Sequence, residues 1–336
     1  MWKTFTQATL ALTFLLAAAS GQASGSDVSP AALAAFKRPD TVPHPAGNPY
    51  SAAKAALGEK LFFDPRLSRD NDISCATCHD PARGWEDGRP TAIGADGLRN
   101  ERHTPSVQNL AWSRALLWDG RTPTLESQVW FALTAHDEMA QDVGRLTAEL
   151  AAIPDYAAAF AAVFPDRGIS LITLSAALAT YQRENLSGDT PFDRWVAGDP
   201  GAVPEDARRG FALFTGRANC TACHSGWNFT DGAFHDIGLP AGADLGRFRF
   251  SRDAADKYAF KTPGLRNITL RAPYMHDGSI ATLRAVLEHF NGPFPARPSL
   301  SPALTTADLG AAEIDALLAF LQALESTPDI PRDSEH

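Results

Sequence analysis

The chain has 336 residues, 44% of them apolar, and a net charge of −9. That length and apolar content exceed one ordinary domain and can furnish two cores. The acidic balance and the lack of any Lys/Arg run argue against nucleic acid or an anionic membrane as partner, and favour a basic or neutral one.

In chain order, residues 1–23 read as a cleaved signal peptide. Lys3 gives a cationic start, Ala8 to Ala19 an apolar run, and Gly21 and Ala23 small residues where a peptidase can cut. The run is shorter than the roughly 20 residues that span a bilayer, and no later stretch is long and apolar enough to do so. An exported protein with no membrane span after cleavage is expected, periplasmic in a Gram-negative host. Apolar residues at three-to-four spacing predict helices over Ser51–Phe63, Thr124–Leu133, Arg145–Phe164, Ser170–Asn185, Pro204–Thr215, Thr282–Asn291 and Thr306–Leu324. Ser170 and Thr306 are expected N-caps, and Pro204 suits a first turn. No run of alternating strands stands out. Long Gly/Pro/Asp-rich loops, Pro65–Asn109 and Gly226–Pro273, separate the helices.

The four cysteines carry the chemistry. Two disulfides would be the default in an exported chain, but every cysteine falls in Cys-x-x-Cys-His: Cys75, Cys78 and His79, then Cys220, Cys223 and His224. Two thiols at this spacing can form thioethers to one haem while the adjacent imidazole ligates the iron. A thioredoxin-like dithiol would need a βαβ context, and a zinc site would have to pool both motifs. Two covalently bound c-type haems are therefore expected. Gly58-x-x-Leu61-Phe62 precedes the first motif and Gly210-x-x-Leu213-Phe214 the second, a weak internal repeat. The fold class expected is all-α, with two cytochrome c-like domains, residues 32–186 and 187–328, each wrapping a haem with long loops.

The sequence resembles the bacterial dihaem cytochrome c peroxidase superfamily, which includes MauG-type enzymes. The resemblance is carried by Leu61-Phe62-Phe63-Asp64-Pro65-Arg66, Thr104-Pro105-Ser106-Val107, Trp118-Asp119-Gly120-Arg121, Thr262-Pro263-Gly264-Leu265-Arg266-Asn267 and Pro273-Tyr274-Met275-His276-Asp277-Gly278, in the family's order. It implies that the N-terminal haem meets hydrogen peroxide and reaches a high-valent state, while the C-terminal haem exchanges electrons. It implies Glu138 as acid/base, Gln128 ten residues earlier as its positioning partner, and Trp118 as a conductor between the haems. Many relatives have a distal His where Ala95 stands here, so an open N-terminal iron is expected. Fourteen residues after His276, where relatives ligate the second haem with Met or Tyr, stands Phe290, which cannot ligate; His289 is the neighbouring candidate sixth ligand. The resemblance also implies a calcium ion between the haems, held by an Asn side chain and by carbonyls at Arg271 and Pro273. His103 occupies the Asn position and is a poor ligand for an ion that prefers oxygen, which weakens the case for calcium. The leading expectation is a MauG-like enzyme that oxidises a residue of a partner protein; the MbnH-like group, which converts a partner's tryptophan to kynurenine, is the analogue. The alternatives are a peroxidase fed by a small cytochrome c or cupredoxin, and a dihaem electron carrier without enzymatic activity.

Overall fold

The computed structural model describes residues 30–326; the expected signal peptide lies outside them. Helices dominate: α1 (Ala52–Phe62), α2 (Leu125–Thr134), α3 (Val143–Ala152), α4 (Pro154–Val163), α5 (Leu171–Glu184), α6 (Pro191–Val196), α7 (Glu205–Thr215), α8 (Leu283–Phe290) and α9 (Ala311–Gln322). Ser170 caps α5 in a reciprocal capping box with Thr173, as expected. The helix expected over Arg145–Phe164 is two helices. Pro154 lacks the N–H that would continue α3, and it opens α4 instead. The last helix begins at Ala311 behind Gly310, so Thr306 is no cap, and Pro204 stands at the N-cap of α7 rather than in its first turn. A two-residue antiparallel ribbon, β1 (Phe234–His235) with β2 (Phe260–Lys261), was not foreseen, being too short to show alternation.

Two cores divide the chain. One gathers Leu57, Leu61, Phe62, Leu133, Leu146, Tyr156, Phe160 and Leu174; the other gathers Phe192, Phe211, Phe214, Phe229, Leu317 and Phe320. Leu33 and Phe36 precede the first core in sequence yet pack in the second, so the N-terminal segment crosses over. The internal repeat has a physical cause. Gly58 lets α1 cross α5 so closely that a Cβ there would overlap the Ala177 carbonyl oxygen, and Gly210 does the same for α7 against Ala316 of α9. In each half the helix before the haem motif is thus seated by a glycine on the helix that closes the half. Phe62 and Phe214, four residues after these glycines, are then both driven into the cores.

Candidate active site

The first motif occupies one helical turn, Cys75–Cys78, with the Ser74 N–H donating to Thr77 Oγ1 at 3.0 Å. His79 donates from Nδ1 to the Trp85 carbonyl at 3.2 Å, and burial holds its pKa below the usual imidazole value. A neutral ring that donates from Nδ1 carries its free lone pair on Nε2, the state a metal-ligating imidazole needs. The second motif forms a 3₁₀ turn, Cys220–Ala222, and His224 Nδ1 repeats the bond, donating to the Phe229 carbonyl at 2.8 Å. Burial raises all four thiols, to about 12 at Cys75, Cys78 and Cys220 and about 11 at Cys223. Thiols raised in this way do not suit a reactive dithiol. Cys-x-x-Cys-His with a backbone-oriented histidine fits covalent haem at both places.

A cavity of about 540 Å³ lies against the first motif and reaches across to the second half. Cys75, Cys78 and His79 line it, together with Gln128 from α2, Glu138 from the loop after α2, Trp118, and Lys261 and Arg271 from the second half. The structure thus brings together four expected residues, His79, Gln128, Glu138 and Trp118, at one site. The loop carrying Glu138 is clamped. Its carbonyl accepts from the Ala95 N–H at 2.8 Å, the Asp137 carbonyl accepts from Asn100 Nδ2 at 2.9 Å, and a Cβ at Gly94 would overlap the Asp137 carbonyl. Ala95, the position expected to replace a distal His, is therefore buried beside Glu138. Burial pushes the Glu138 carboxyl up to about 7, partly offset by the nearby Arg121 charge and reinforced by Asp137. A carboxyl poised near neutrality can both take and return a proton.

Trp118 donates from Nε1 to the His103 carbonyl at 2.8 Å, and its own carbonyl accepts the Lys261 N–H at 2.7 Å, which ties it to β2. The next residue, Asp119, is fully buried and accepts from Arg102 at 2.5 Å and Arg121 at 2.8 Å; Arg102 also pairs with Asp244 at 2.7 Å. Hydrogen-bonded ion pairs of this kind hold the Trp-Asp-Gly-Arg segment against both halves. His289 lies on α8 apart from this cavity. Its Nε2–H donates to the Ile237 carbonyl at 2.8 Å, so ligation through that nitrogen would require this bond to break. Phe290 packs edge-on against the His289 ring.

Several cavity residues escaped the sequence reading. Arg121 belongs to the Trp-Asp-Gly-Arg motif, but its approach to Glu138 is made by the fold. Lys261 had no signal in the sequence: it is half-buried, no carboxylate pairs with it among the described residues, its Nζ donates to the Ala115 carbonyl at 3.1 Å, and desolvation lowers its pKa to about 8. Trp112 and Trp227, from opposite halves, meet edge-to-face with ring centroids 4.7 Å apart. Only the tertiary fold brings them together.

A two-lobed helical protein with one Cys-x-x-Cys-His site per lobe and a shared cavity defines a dihaem c-type oxidoreductase. Residues 52–201 match the family model described as di-haem cytochrome c peroxidase, and residues 207–325 match that of cytochrome c. The chain is 48% identical to methylamine utilization protein MauG of Methylorubrum extorquens, over 95% of this chain and 91% of that one. Identity to the cytochrome c551 peroxidase of Pseudomonas aeruginosa is 34%, over 80% and 81% of the two chains. The crystal structure of a MauG-like protein associated with microbial copper homeostasis superposes with a TM-score of 0.80 at 33% identity, covering 86% of this chain and 95% of that one. The chain belongs to the di-haem cytochrome c peroxidase family, on its MauG-like side; it carries two c-type haems and is a haem peroxidase-type oxidoreductase.

Proposed function

We propose that this protein acts in the periplasm, using hydrogen peroxide to oxidise a residue on a partner protein, and that the partner belongs to methylamine utilisation. The observation that carries the first part is the clamped Glu138, which lines the same cavity as His79, with its carboxyl pushed up to about 7. The second part rests on the 48% and 47% identity to two proteins named for methylamine utilisation, well above the 34% to a cytochrome c551 peroxidase. These identities favour an analogy with MauG over an MbnH-like conversion of tryptophan to kynurenine.

The haem held by His79 would supply a redox-active iron to which peroxide binds. Glu138, as carboxylate, would take a proton from one peroxide oxygen and return it to the other, which leaves as water. Gln128 orients the bound peroxide toward Glu138. Reduction of one peroxide to two waters consumes two protons and two electrons, and the electrons come from the partner's residue. Trp118 offers the path between the two lobes, held by its bonds to His103 and Lys261. Arg121 favours the ionised form of Glu138 and keeps the base ready near neutral pH.

The reading is tested by mixing the oxidised holoprotein with peroxide and the candidate partner from a neighbouring gene, then mapping the partner by peptide mass spectrometry. A new oxidative modification on one partner residue, absent with Glu138→Gln, is the expected result. Fast peroxide-dependent turnover of reduced cytochrome c with an unmodified partner would instead establish the conventional peroxidase.

A further inference from the structure

The residues between the two lobes do not suit a divalent cation. His103 is buried, and both of its ring nitrogens face acceptors: Nε2 meets Glu86 Oε2 at 2.7 Å, and Nδ1 meets the Arg89 carbonyl at 2.6 Å. The Arg89 carbonyl can only accept, so Nδ1 carries a proton; with the Arg271 guanidinium beside it Glu86 is read as the carboxylate, so Nε2 donates as well and the ring is the imidazolium. The Glu86 carboxylate is also 3.9 Å from Arg271 Nε, a buried guanidinium. One buried carboxylate is thus shared by two cations. Calcium seeks six to eight oxygen ligands; here the Glu86 carboxylate is taken, His103 offers no oxygen, and the His103 and Arg271 charges repel a cation, with Asp87 the further acidic group acting on the pair.

The same residue is a junction of the backbone. The His103 N–H donates to the His276 carbonyl of the second half at 2.7 Å, and its carbonyl accepts Trp118 Nε1 at 2.8 Å. Through Glu86 its side chain reaches the residue next to Trp85, whose carbonyl orients His79. His79, Trp118 and the second lobe therefore hang on one buried ionic group.

We propose that this chain has replaced the inter-haem calcium of its family with a metal-free strut, the His103 imidazolium bonded to Glu86 with Arg271 on the far side, and that the strut sets Trp118 between the haems. The inference depends on the dihaem assignment but not on the identity of the substrate.

The experiment uses the holoprotein with both haems attached. Elemental analysis after dialysis against metal-free buffer should find calcium far below one ion per chain. Added EGTA or calcium should leave the melting temperature, the haem absorption and the electron paramagnetic resonance spectrum unchanged. Glu86→Gln, which keeps the shape and removes the charge, should shift the resonance signals of both haems together, and calcium should not restore them. Stoichiometric calcium that survives dialysis, or a melting temperature lowered by EGTA, would overturn the proposal, as would a Glu86→Gln protein with both haem spectra unaltered. Should Glu86→Gln fail to assemble, the wild-type calcium content and EGTA response still decide. Peroxide reactivity is read separately, so loss of the functional reading and loss of the strut are distinct results.

Discussion

In the N-terminal lobe Gly58 seats α1 on Ala177, Phe62 enters the core, and His79 bonds to the Trp85 carbonyl; in the C-terminal lobe Gly210, Phe214, His224 and the Phe229 carbonyl repeat each step. The surroundings of the two histidines then diverge. His79 adjoins a cavity with the polar side chains of Glu138 and Gln128 on its wall, whereas the lobe of His224 is packed with aromatic rings: Phe192, Phe211, Phe214, Phe229 and Phe320 meet at centroid distances from 4.9 to 5.9 Å. A shared scaffold fixes where a haem attaches. The side chains that reach its far face decide whether it does chemistry or carries charge.

The largest effect should come from removing what the first lobe alone possesses. Glu138→Gln is expected to slow the reaction of the oxidised holoprotein with peroxide by about 10²- to 10⁴-fold, the usual contribution of a positioned acid/base, as measured by stopped-flow absorbance. The same carboxyl sets the pH dependence. Its folded pKa is raised to about 7, and the base works as the carboxylate present above that value. The wild-type rate should therefore hold above neutrality and fall about tenfold per pH unit below it, while Glu138→Gln should be flat across that range.

What the lobes share can be broken symmetrically. Gly58→Ala and Gly210→Ala each drive a methyl group into a facing carbonyl, and overpacking of this kind costs about 1–3 kcal/mol or more. Both should lower the melting temperature measured by circular dichroism. Gly201→Ala, where a Cβ meets only the Asp199 side chain at ordinary contact distance, should leave it near the wild-type value.

The link between the lobes comes next in size. Trp118→Phe removes the bond to the His103 carbonyl and the indole, so the first haem should still react with peroxide while the spectral change of the second lags by about tenfold, a barrier increase of about 1.4 kcal/mol. A lag unchanged from wild type would remove Trp118 from the path. Smallest is Arg121→Gln. Losing the cation that favours ionised Glu138 should move the pH profile to higher pH by less than one unit, with the plateau rate preserved.

The sequence made the haem sites legible because thioether chemistry dictates a fixed spacing, and all four cysteines obey it. Most helices were legible for the same kind of reason, since a buried stripe must recur every three to four residues. The long Arg145–Phe164 pattern misled because two helices bent at Pro154 keep that recurrence on either side of the break. The cavity wall was only partly readable. Glu138 and Gln128 were marked by the family resemblance, but the pairing of His103 with Glu86, the contact of Trp112 with Trp227 and the placement of Lys261 arise where distant loops meet, and no local pattern records that. His289 is of the same kind: its neighbour Phe290 is visible in the sequence, but its bond to Ile237, more than fifty residues away, is not.

The central claim is that the two attachment sites are unequal, and that the first is ready for peroxide in the oxidised state. Electron paramagnetic resonance of the diferric holoprotein, recorded before and after rapid mixing with one equivalent of hydrogen peroxide and no reductant, tests it most directly. The expected result is one high-spin and one low-spin signal at rest, with the high-spin signal lost on mixing and retained far longer in Glu138→Gln. Two low-spin signals indifferent to peroxide would contradict it.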